Sequence, residues 1–156
     1  MFNEVILLVH PTLGVLVILA GLWIFVDTLN LNSNNQRRIK FIAVLQAILM
    51  WLTFIVAGYW YVKYYPGDKA LILAGPWPFV QNFFMETKEH LVIMLLLLCT
   101  YLPIVALNND LLMNKKFRHL VLWLSAFIAL LGLVMDGAGA MISMGVKVDL
   151  LSKVVA

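Results

Sequence analysis

Four runs of apolar residues, at about 5–26, 39–62, 91–107 and 120–146, dominate the chain. Each is long enough to cross a hydrocarbon core of roughly 30 Å, which takes about 20 helical residues. Lipid offers the backbone no hydrogen-bond partner, so each run must be helical. The alternation of a membrane barrel strand is absent. Of the 156 residues, 63% are hydrophobic and only 12% charged, where a soluble domain carries about 25% charged residues. That leaves too little polar surface for a soluble enzyme, a nucleic-acid binder or a disordered tail. The sequence therefore predicts an all-α integral membrane four-helix bundle, one transmembrane domain over 1–156, with the lipid bilayer as its first partner. The lone cysteine, Cys99, excludes an intrachain disulfide. No short apolar stretch ends in a small-residue cleavage site, so no cleaved signal peptide is expected.

Loop charges set the expected orientation. The first connection carries Arg37, Arg38 and Lys40 and no acid, and the third carries Lys115, Lys116 and Arg118 against Asp110. The second mixes both signs and contains Pro66, Gly67, Gly75, Pro76 and Pro78, which mark turns. Basic residues in short loops stay cytoplasmic. Both termini are then outside, in a membrane read as the bacterial inner membrane. The aromatics Tyr59, Trp60, Tyr61, Tyr64 and Tyr65, with Trp77, Phe79, Phe83 and Phe84, fit an aromatic belt at the headgroup level or a surface lining a cofactor. The stretch 79–89 reads as an extension of the third span or as a short helix on the membrane surface.

Leu29-Asn30 before Arg37-Arg38 is echoed by Leu107-Asn108 before Lys115-Lys116. His10 and His90 precede these two Leu-Asn ends by similar distances. A duplicated helical hairpin, related by an axis along the membrane normal, gives this pattern. So does any pair of membrane hairpins with basic loops.

The three histidines are His10, His90 and His119. Ionisable groups within membrane helices are costly and usually have a task or a partner. His10 and His90 sit at matched depth near the outer ends of spans one and three, which run parallel. Two imidazoles on facing helices can bind one iron axially, and bundle cores are where such sites are built. Pro11 is placed to open the first helix, and Gly14 leaves space above a flat ring. Gly137-Ala138-Gly139-Ala140 adds small residues at a comparable depth, suited to close helix packing or to a porphyrin edge. Glu4, Glu86 and Glu89 stand near as acceptors for the outer ring nitrogens. The plainer reading of both histidines is residence at the interface, and His119, beside Arg118, reads the same way.

Asp136 is the one acid well inside an apolar run, where a carboxylate is protonated, paired with His or Lys, or used to accept protons from a quinol; the plainer reading is a helix–helix hydrogen bond. Gln46 and Thr53 are expected to tie helices together. Pro103 is expected to loosen the third span. Cys99 and Met135, Met141 and Met144 read as packing residues.

In outline, with four short-looped spans and the helix-end pair His10 and His90, the chain resembles the small cytochrome b-type membrane-anchor subunits of respiratory complexes. The resemblance implies electron transfer between a quinone pool and an outer-face redox partner within a larger complex. One haem b would be held by His10 and His90, with Gly14 beside it. Asp136 would be the proton acceptor from a quinol. Two other readings use the same residues: an accessory subunit that packs a complex without a cofactor, and a small transporter in which Asp136 moves protons.

Overall fold

A computed structural model describes residues 2–155, with side chains from 8 to 154. Every regular element among them is helical. The chain runs through α1 (Phe2–Leu29), α2 (Ser33–Lys63), α3 (Tyr65–Ala74), a π-helical turn (Val80–Met85), α4 (Glu86–Asn108) and α5 (Lys115–Val155). Four of the helical stretches are long and apolar enough to cross a membrane: Leu8–Leu29, Ser33–Lys63, Val80–Asn108 and Lys115–Val154. The four-span, all-helical bundle is the architecture expected from the apolar runs.

Helix α1 packs on α2 and α5, and α4 packs on the same two, while the backbones of α1 and α4 do not approach each other closely. The two parallel helices α1 and α4 are therefore diagonal across the bundle. Between them lies a core of Val17, Ile24, Ile39, Ala43, Leu102 and Ile128 with their neighbours. Close approach is set by glycine at two levels. A Cβ on Gly21 would lie 2.9 Å from Gln46 Nε2, which donates to the Val17 carbonyl at 2.9 Å. A Cβ on Gly132 would lie 2.7 Å from Ile18 Cγ1. Gln46 thus ties α2 to α1, as expected. The Thr53 hydroxyl instead donates to Leu49 on its own helix.

One end of the bundle carries the basic loops. Asn32 caps α2 by accepting from the Asn34 and Asn35 amides, and Asn35 Oδ1 accepts from the Asn32 amide. Arg38 grips Asp27 through both carboxylate oxygens at 2.6 and 2.7 Å. Asp110 Oδ1 accepts from the Leu112 and Met113 amides. Gln36 reaches across from the first basic loop to the Leu112 amide, joining the two loops.

The other end carries a cap. Short helix α3 and the π-helical turn pack on the distal stretch of α5 around Tyr65, Ile72, Val80, Met85 and Ile142. Neither touches α1. Gly75 lies so close to buried Asp149 that a Cβ there would be 2.8 Å from the Asp149 Cβ. Asp149 is paired with Lys153 at 2.7 Å.

Several expectations change in detail. Pro11 lies within α1 rather than opening it, because the apolar residues before it also need a helical backbone in lipid. The stretch 79–89 extends the third span through the π-helical turn. The aromatic cluster divides: Tyr65 and Trp60 pack into the cap core, while Tyr59 and Phe83 stay exposed.

Candidate functional site

Polar side chains inside a lipid-spanning bundle must find partners, so the places where they gather are informative. One gathering takes a residue from each spanning helix: His10 from α1, Thr53 from α2, Lys88 from α4 and Asp136 from α5. Counted from the helix ends at the basic loops, each lies about 20 residues along its helix, or roughly 30 Å. Four independent helices deliver them to one level, at the far edge of the hydrocarbon and beneath the cap.

The imidazole of His10 is the centre of this group. Its Nδ1 is buried and makes no hydrogen bond. The Thr53 backbone faces the ring, and the charges of Lys88 and Asp136 both act on it. Lys88 is partly buried, and Asp136 is the charge that acts on it. Its Nζ lies 2.8 Å from where a Cβ on Gly139 would stand, so the ammonium fills the space left by that glycine. Lys88 and Asp136 do not close into a contact ion pair; the pairs within 4 Å among the described residues are Arg38–Asp27 and Lys153–Asp149. An imidazole nitrogen without a partner, an ammonium and a carboxylate therefore occur at one level of the bundle.

The seam between α1 and α5 runs past this level. Ile18 meets Gly132 where the seam is closed. Counting along antiparallel helices from that contact puts Gly14 level with Asp136 and His10 level with Ala140. Gly14 shares the face of Ile18 and Gly21, yet nothing lies within 4 Å of a Cβ built on it, nor on Gly137. Asp136 and Gly137 are exposed. At Gly14 the α1 side of the seam is therefore left unfilled, at the level of the polar group.

His90 is placed differently. It is exposed, and its Nδ1 lies 2.6 Å from the Glu86 carbonyl of its own helix. With Ile93, Met94, Leu97, Leu98 and Tyr101 it lines a shallow groove on the outside of α4. Buried Leu95, Cys99, Leu102 and Ala106 follow Lys88 at core spacing, whereas exposed Ile93, Met94, Leu97 and Tyr101 follow His90. Residues two apart on a helix point about 200° apart. Lys88 therefore faces the core and His90 faces away. The matched depth of His10 and His90 stands, but their rotations do not bring the rings together. The residues present do not fit a bis-histidine haem within one copy of the chain, and no step below passes through one. No cluster of three or more His, Cys, Asp or Glu suited to a metal occurs among the described residues.

Of the expected acceptors, Glu89 binds the Tyr61 hydroxyl at 2.8 Å, and the Glu4 side chain lies outside the described residues. Gly14 lies four residues from His10 on α1, and Asp136 is exposed on α5. Gly139 belongs to the expected run of small residues, whereas Lys88 was not anticipated. The signal for Lys88 is its seven- and eleven-residue spacing to Leu95 and Cys99, legible only once the core face of α4 is known. No family model, curated protein or solved structure matches this chain.

Proposed function

We propose that the chain is the membrane subunit of a redox complex and exchanges protons with a lipid-soluble quinol at the site of His10, Lys88 and Asp136. The observation that carries this reading is the buried His10 Nδ1 without a partner, at the level of the bundle that also holds Lys88 and Asp136. A quinol diffuses in the bilayer and must give up hydroxyl protons as its electrons leave. His10 Nδ1 accepts the hydrogen bond of one hydroxyl. As two electrons leave, that hydroxyl's proton passes to His10 Nδ1, Asp136 takes the proton of the second hydroxyl toward the outer surface, and Lys88 stabilises the negative charge that develops on oxygen. The electrons pass to a redox centre on a partner subunit.

The test is binding of decylubiquinol, the reduced form whose hydroxyls are the donors, to the purified full chain in anaerobic lipid nanodiscs, followed by tryptophan quenching. His10→Gln and Asp136→Asn should each weaken binding roughly tenfold, since a hydrogen bond to a charged group is worth about 1.5–3 kcal/mol. His90→Gln should leave it unchanged. No saturable binding by the wild-type chain, or equal loss in all three variants, would refute the reading and favour an accessory subunit.

A further inference from the structure

At the basic end, a polar opening faces the membrane, about 20 residues from the level of His10 and Asp136 along both α1 and α5. A cleft of about 360 Å³ lies between the last turn of α1 and the first turns of α5, lined by Thr28, Leu29, Lys115, Arg118, His119 and Leu122. Its basic residues divide into two kinds. Arg118 is committed: its guanidinium donates to the Thr28 and Leu29 carbonyls at 3.3 and 3.1 Å, which fixes α5 against the end of α1. Lys115 and His119 are one helical turn apart, exposed, and make no hydrogen bond among the described residues.

No carboxylate lines the cleft. The nearest acid along α1, Asp27, is already occupied by Arg38. The charge of the opening is therefore positive and uncompensated. Below it the surface turns apolar at once: Leu122 lines the cleft, and Trp123 and Val26, 70% and 52% exposed, continue along α5 and α1 into the lipid-facing side. A site that is cationic at the headgroup level and apolar one turn deeper matches an amphiphile with an anionic head and acyl tails.

We infer that this cleft binds the phosphodiester headgroup of an anionic phospholipid, with Lys115 and His119 as its direct donors and Arg118 as the residue that holds the cleft open. The bound lipid bridges α1 to α5 where the Arg118 contacts already join them. This inference is independent of the quinol site, because it uses none of its residues and sits at the opposite end of the bundle.

The experiment is native mass spectrometry and thermal unfolding of the delipidated full chain, titrated with dioleoylphosphatidylglycerol, dioleoylphosphatidylcholine or inorganic phosphate. The wild-type chain should retain the anionic lipid about tenfold more tightly than the zwitterionic one and unfold at a higher temperature in its presence. The pair Lys115→Gln with His119→Gln should abolish that preference. The pair Arg37→Gln with Lys116→Gln removes two exposed basic groups from the same end, outside the cleft, and should preserve it. Equal losses in the two pairs would mean diffuse attraction and overturn the assignment. So would a wild-type chain that binds both lipids alike, or one that inorganic phosphate stabilises as well as the lipid does.

Discussion

A single methyl group probes the Lys88 position gently. In Gly139→Ala the new Cβ meets Lys88 Nζ at 2.8 Å, the far end of a flexible side chain that can swing away at little cost. The variant should fold with nearly unchanged thermal stability yet bind decylubiquinol several-fold more weakly, because the ammonium has left the site. Gly132→Ala is the contrasting case. Its Cβ meets Ile18 Cγ1 at 2.7 Å inside the closed seam, and such overpacking costs about 1–3 kcal/mol. A lower unfolding midpoint for Gly132→Ala alone separates a ligand-facing glycine from a packing one. Equal destabilisation by both would place Lys88 in a structural role.

At the scale of elements, the cap hangs on the contact between Tyr65 and Gln81. The Tyr65 hydroxyl donates to Gln81 Oε1, and both side chains are buried. Burial pushes the Tyr65 phenol up, helped by the Glu89 carboxylate, so it remains a donor across the physiological range. Tyr65→Phe leaves the Gln81 oxygen buried without that donor, at a cost of about 1–3 kcal/mol. Hydrogen exchange should then speed up in α3 and the π-helical turn and stay unchanged in α1 from Leu8 to Leu29, which the cap does not approach.

The four spans were legible in the sequence because length and hydropathy decide them. The cap was not, since Tyr65–Ala74 is a mixed segment among turn signals and its helix depends on packing against α5. The full length of α5 was hidden for a related reason: past Val146 hydropathy falls, but no residue breaks the helix. The depth of the site was legible by counting residues from the basic loops. Its rotation was not. In α4 the run from Leu91 to Leu98 is apolar all round, so no stripe told the core face from the lipid face, and His90 stood as good a chance as Lys88 of pointing inward.

For the whole molecule, topology follows from charge. Both basic loops stand at one end of the bundle and are joined there by Gln36, and short basic loops resist translocation. A cysteine at exposed Asn34, in a Cys99→Ala background, should resist an impermeant thiol reagent in intact cells and react once the membrane is opened. Ready labelling in intact cells would invert the molecule, moving the quinol site to the inner face and the anionic-lipid cleft to the outer leaflet.

Photolabelling with an azido-quinone most directly tests the claim that His10, Lys88 and Asp136 form a lipid-accessible quinol site. The purified full chain in nanodiscs is illuminated with the probe, with and without excess decylubiquinone, and the modified peptides are mapped. Competable label should fall on α1 around His10 and Gly14 and on α5 around Asp136 and Gly137, the two sides of the seam. Label confined to the outer groove of α4 from His90 to Tyr101, or spread along all four spans without competition, would contradict the account.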